Sequence, residues 1–271
     1  MFQYDFMQHA FLAGAFVAIM CGTIGVYVVA RGLSFLSHAF SHLGFAGAAF
    51  ATWIGMDPLN GMLMFTGSAA LAIGQMGVKV IRRDIAISVV LSVFLGAGLL
   101  FLSLTSKNAN AISSLLFGSV VGISQAEVWK IVWLSSTVLI LLVLGYRMLT
   151  FDSFDPIGAQ AAGLPVKWIS VLFLLLLGVA TAEAVQIVGA LLVFTLMTAP
   201  AAAARHFTQS VPRMILLSAA FAWGGVWIGL VLGYYTNAPV SFFITAIQGG
   251  VYFVGVGWHY LRERMPPSVS L

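Results

Sequence analysis

Two histidines, His38 and His42, stand four residues apart in SFLSHAFSHLGFAG (34–47), a stretch that is otherwise apolar or small. Positions four apart lie about 40° apart on one face of a helix with a rise of about 6 Å, so both imidazoles can meet one ion. The HExxH zinc helices use this spacing. Here the residue after the first histidine is Ala39, where a metalloprotease needs glutamate. Imidazole nitrogen suits zinc, copper and nickel, whereas manganese and calcium prefer oxygen ligands. Two imidazoles short of a tetrahedral set can pass an ion on, because a closed four-ligand site would trap it. The alternative is that each ring only hydrogen-bonds a neighbouring helix. Two rings on one face, flanked by Ser34, Ser37 and Ser41, favour a lined pathway over that reading.

The elements that hold these rings belong in a membrane. Of 271 residues, 61% are hydrophobic and 7% charged, against about 25% charged in a soluble domain. No water-soluble fold of this length hides so much apolar surface. Uninterrupted runs such as SVLFLLLLGVA (170–180) argue for helices and against the alternating pattern of a β-barrel. The expected class is all-α: one polytopic transmembrane domain over residues 1–271. MFQYDFMQHA lacks a basic region before the first apolar run, so no cleaved signal peptide is expected. The single cysteine, Cys21, reads as packing. The basic residues are scattered without aromatic interleaving, which argues against nucleic-acid binding. There is no GxxxxGK[ST] sequence, so any ATP must be bound by another chain.

About 20 apolar residues cross a bilayer. Nine spans are expected at 10–30, 33–54, 59–79, 85–105, 127–148, 168–182, 186–204, 213–235 and 240–260. Residues 168–204 read as two short spans, or as one tilted helix with a re-entrant piece, which would leave eight. Two are preferred because Glu183 and Gln186 in AEAVQ (182–186) offer polar groups for an outer turn. With the N-terminus outside and the C-terminus in the cytoplasm, ten of the twelve Lys and Arg fall on the inner side, as the positive-inside rule requires. Lys107 and Lys130 are the exceptions.

Elsewhere, FDPIGAQAAGLP (154–165) reads as a short helix capped by Asp155, opened by Pro156 and stopped by Gly163 and Pro165. Ile157, Ala161 and Leu164 give it an apolar side. TAPAAAARHF (198–207) reads as a kink or gate. His9, His206 and His259 are expected at the membrane edges. Met62, Met64 and Met76 read as packing rather than thioether ligands.

In motif and order the chain resembles the metal-ion permeases of ABC transporters, the family of zinc and manganese uptake systems. The second-helix motif, Gly-Asp followed by Leu-Ser/Ala-His and Gly, places its histidine on His42 and its glycine on Gly47. Its aspartate falls on His38, a departure. RRDIAISVVLSVFLGAGLL (82–100) resembles the fourth-helix segment that opens on an aspartate, here Asp84, with Ser88 where a glycine is usual. SLLFGSVVGIS (114–124), FDPIGAQAAGLPV (154–166) and IVGALLVFTLMTAPAAAARHF (187–207) resemble three further segments. The likeness runs from about residue 10 to 260.

The resemblance implies a multi-pass permease of the bacterial cytoplasmic membrane, a homodimer or half of a heterodimer, with no tightly bound cofactor. It would take a divalent metal from an extracytoplasmic binding protein and be driven by a separate ATPase. Zinc is favoured because His38 enriches the site in nitrogen; manganese and iron are the alternatives. His38 and His42 would form the metal pathway, with Asp84, Ser88 and Glu183 as secondary candidates. Asp155, Pro156, Ala161 and Gly163 would contact the ATPase, and Gly47, Gly189 and Pro200 would serve helix packing or a gate. An ATP-independent carrier is the competing reading; such carriers show paired inverted repeats, and no clear repeat is visible here.

Overall fold

The apolar runs become helices because a backbone in hydrocarbon must satisfy its own N–H and C=O groups. The computed structural model describes residues 4–76, 84–105, 116, 118, 123–236 and 238–264. It contains α1 (Asp5–Ala30), α2 (Ser34–Ile54), α3 (Pro58–Met76), α4 (Asp84–Leu104), α5 (Gln125–Leu144), α6 (Tyr146–Phe154), α7 (Pro156–Ala161), α8 (Val166–Val188), α9 (Val193–Phe207), α10 (Val211–Thr236) and α11 (Val240–Arg264). No strand occurs among the described residues. Among the described residues, six helices are long and apolar enough to cross a membrane: α1, α4, α5, α8, α10 and α11. The other three expected spans fall on α2, α3 and the fifteen-residue α9. α2 and α9 bury much of their surface against other helices, and a helix shielded in this way needs less apolar surface of its own.

Of these six, α1 and α8 are the most enclosed. α4 and α11 are peripheral, with Val93 and Phe253 turned outward at 62% and 72% exposure. α2 packs on α3, α4 and α8. The approach of α2 to α3 is a backbone contact: a Cβ on Gly47 would lie 2.3 Å from the Gly61 carbonyl oxygen. Only glycine fits there.

One expected boundary lies elsewhere. α8 runs unbroken through 182–186 and ends at Gly189, whose φ of 89° favours glycine. Leu191 then donates its N–H to the Leu116 carbonyl at 3.3 Å before α9 begins. Glu183 therefore sits inside a helix and not in a turn. Its carboxylate finds a partner on a neighbouring helix, so it needs no bend to reach water.

Polar contacts gather at the two ends of the bundle. At one end, Lys130 pairs with Asp57 at 2.8 Å and holds its carboxyl below the ordinary carboxylate range. His9 Nδ1 lies 3.2 Å from the Ile123 carbonyl nearby in sequence to α5, whose start is closed by a Ser124–Glu127 capping box. The opposite, basic end carries Arg31, Arg147, Lys167, Arg205, Arg213 and Arg262 on the termini of α1, α6 and α8 to α11. There Arg31, in the α1–α2 turn, lies 2.8 Å from Asp152 of α6. Its Nε donates to Ser153 Oγ at 2.8 Å, and its guanidinium covers the Phe173 ring of α8 at 4.5 Å. Burial raises the Asp152 carboxyl and lowers the Arg31 guanidinium from their ordinary values, and the pairing opposes both shifts. Such a pair fixes geometry more than it adds stability.

Arg31→Ala leaves the Asp152 carboxylate buried without a cation. The expected cost is about 3 kcal/mol, read as a lower thermal midpoint in detergent. The double variant Arg31→Met/Asp152→Leu should recover most of the loss, because it removes both charges together.

Candidate metal pathway

α2 places His38 and His42 one turn apart on one face. Their ring centroids are 4.8 Å apart and nearly perpendicular. His42 is 3% exposed and His38 is half-buried. Phe194, from the first turn of α9, stands 5.3 Å from the His38 ring. Nδ1 of each imidazole is buried with no hydrogen-bond partner. A histidine kept only for packing would normally satisfy that nitrogen. The serines do not supply the missing bonds: Ser37 Oγ donates to the Ser34 carbonyl and Ser41 Oγ to the His38 carbonyl, at 2.8 and 2.7 Å. Neither Nδ1 therefore has a hydrogen-bond partner among the described residues.

Such a pair can hold a divalent cation that completes its coordination with water or with groups of another chain. Among the described residues, no group of three or more His, Cys, Asp or Glu side chains could hold a metal.

Glu183, a secondary candidate, is fully buried. Ser135 Oγ of α5 donates to its Oε2, and Oε1 has no partner. It faces α5 and does not form a cluster with the histidines. Asp84 begins α4, but its side chain lies outside the described residues, as do Lys79, Arg82, Arg83, Lys107 and most of 114–124. Ser88 is on the exposed surface of α4. Met62 is buried while Met64 is 58% exposed, so these two do not line one surface; the Met76 side chain is outside the described residues.

At the basic end, Asp155 caps α7 by accepting the Gly158 N–H at 2.9 Å, with Pro156 in the first turn. Gly163, at φ 76°, ends the segment. Ile157 is 83% exposed and Ala161 is exposed, whereas Leu164 packs inward and Ala159 is buried. The outward apolar side is therefore Ile157 and Ala161, with Leu164 serving as the anchor. Gly189 sets the α8–α9 break, and Pro200 is buried within a continuous α9.

Three partnerships were not legible in the sequence: Ser135 with Glu183, Phe194 with His38, and Arg31 with Asp152. Each joins residues far apart in the chain. Only the hydroxyl pair Ser135–Ser136 within an apolar run gave a sign that some buried polar group lay opposite.

Residues 3–258 match the model of the ABC 3 transport family. The manganese transport system membrane protein MntC of Listeria monocytogenes is 32% identical over 93% of this chain and 90% of its own length. The manganese import system permease protein ScaB of Streptococcus gordonii is 28% identical over 97% and 96%. Among solved structures, PsaBC from Streptococcus pneumoniae in complex with Fab superposes with a TM-score of 0.87 at 27% identity, covering 97% of this chain and 96% of that one.

If the two Nδ1 atoms share an ion, His42→Ala should weaken Zn²⁺ binding by the purified chain at least about tenfold, and His38→Ala similarly. Competition against a chromophoric chelator reads this directly. Unchanged affinity in the double variant would remove the pair as a binding site.

Proposed function

The chain belongs to the ABC 3 transport family, and from that premise we propose that it is the membrane-spanning subunit of an ABC importer for a first-row divalent metal ion. The observation that carries this reading is the pair of imidazoles on α2 whose buried Nδ1 atoms lack partners. The N-terminus lies outside and the C-terminus inside, so the basic end faces the cytoplasm. Metal arrives from a binding protein at the outer end and rests on His38 and His42. It leaves inward when a partner ATPase changes the shape of the bundle. A second permease chain completes the path.

The ATPase docks on α7, whose exposed Ile157 and Ala161 form an apolar surface. α6 leads directly into α7 and is tied by Asp152 and Ser153 to Arg31, three residues before α2 begins. Displacement of α7 is thereby carried to the helix that holds the metal.

Zinc is the reading that the donor set supports, since both protein ligands are nitrogen. Manganese is the second reading, supported by the names of the relatives above. The discriminating experiment is reconstitution with the cognate ATPase and binding protein, with ATP hydrolysis measured against Zn²⁺, Mn²⁺ and Fe²⁺. Stronger stimulation by Zn²⁺ is expected; equal or stronger stimulation by Mn²⁺ selects the second reading. Transport that continues without ATP would instead identify a secondary carrier.

His42→Ala should abolish metal uptake while the complex still assembles. Ala161→Asp, which puts a carboxylate into the docking surface, should also abolish uptake and leave expression and Zn²⁺ binding intact. Normal uptake by the second variant would remove α7 from the mechanism.

A further inference from the structure

His206 and His259, each expected merely to mark a membrane edge, come together at the basic end with ring centroids 5.4 Å apart. They line two adjoining cavities of about 540 and 570 Å³ at the ends of α9 and α11 and the start of α10. Arg205, Thr208 and Gln209 line both cavities as well, and Arg262 lines the first. No aspartate or glutamate is among the lining residues. Among the described residues, neither guanidinium takes part in an ion pair. Thr208 Oγ1 accepts the Ser210 N–H, which leaves its own hydrogen to donate.

Two guanidiniums repel a divalent cation, so the imidazole pair does not make this an exit site for metal. The donor set suits an oxyanion: planar guanidinium forks match phosphate oxygens, and imidazole and hydroxyl add further N–H and O–H donors. The second cavity adds an apolar wall of Val29, Phe154 and Met214, with Tyr252 beside it. A free anion makes no use of such a wall; an amphiphile does. Basic pockets between helices at one membrane face are a recurrent form of lipid headgroup site.

We infer that the α9–α11 cavity at the basic end binds the phosphate of an anionic phospholipid, with Arg205 and Arg262 holding the headgroup and the Val29–Phe154–Met214 wall receiving the start of an acyl chain. The inference is independent of which metal is carried. It places a bound lipid beside Phe154, the last residue of the helix that leads into α7.

The test is native mass spectrometry of the full chain in detergent, titrated with phosphatidylglycerol, phosphatidylethanolamine or inorganic phosphate. The wild type should retain phosphatidylglycerol in preference to phosphatidylethanolamine. Arg205→Gln/Arg262→Gln should lower that retention roughly thirtyfold. Lys167→Gln/Arg213→Gln removes the same charge from the same end, outside the cavity, and should leave retention within about twofold. Equal losses in the two double variants would overturn the site, because a general attraction of basic residues for anionic lipid predicts that result. Retention of inorganic phosphate alone, with no phosphatidylglycerol, would overturn the lipid assignment. Should the double variant express poorly, Arg262→Gln alone, at an exposed position on α11, carries the same comparison.

Discussion

A polar group withdrawn from water must find its partner inside the protein, and that requirement arranges the interior of this bundle. Thr66, Thr181 and Thr198 turn their hydroxyls onto carbonyls four residues back. Ser218 reaches across to the Gly22 carbonyl, where α1 and α10 touch backbone to backbone. Gln248 donates to the carbonyls of Phe221 and Ala222. The Nδ1 atoms of His38 and His42, one turn apart on α2, are exceptions among the described residues, as are Glu183 Oε1 and Gln248 Oε1. An orphaned nitrogen is a cost that a packing role does not explain, and a passing cation would relieve it for as long as it stays.

The same requirement explains the polar ends. Arg31 and Asp152 are both largely buried, and burial disfavours the charge of each. Their attraction offsets that penalty without clearly exceeding it, so the gain is positional. Three elements meet at this pair: the α1–α2 turn, α6, and Phe173 on α8. The link is short, stiff and placed between the proposed docking helix and the proposed metal helix. A flexible surface pair could not transmit a displacement in this way.

Arg205 and Arg262 represent the opposite case. They remain exposed and carry their charge into a cavity without acids. Arg31 is neutralised from within the chain, whereas among the described residues neither of these two takes part in an ion pair. The contrast separates the cations that build the bundle from those available to a ligand.

Much of this was written in the sequence. Long apolar runs dictate helices, because hydrocarbon offers the backbone no other partner, and the four-residue spacing puts His38 and His42 on one face of whichever helix forms. Asp155, Pro156 and Gly163 specify a short capped helix through local hydrogen bonding and backbone preference, and α7 follows. The misplaced boundary at 182–186 has a clear origin: Glu183 reads as a turn residue only while its partner is unknown. Ser135 lies 48 positions away, and no local pattern connects them. Spacing likewise made Ile157, Ala161 and Leu164 equivalent, but packing turned Leu164 inward and left the other two outside. Residue type and period are local quantities, so the sequence determined the helices and the chemistry each one carries. Which polar group is satisfied, which is stranded and which cations share a cavity are relations between distant segments, and only the tertiary packing decided them.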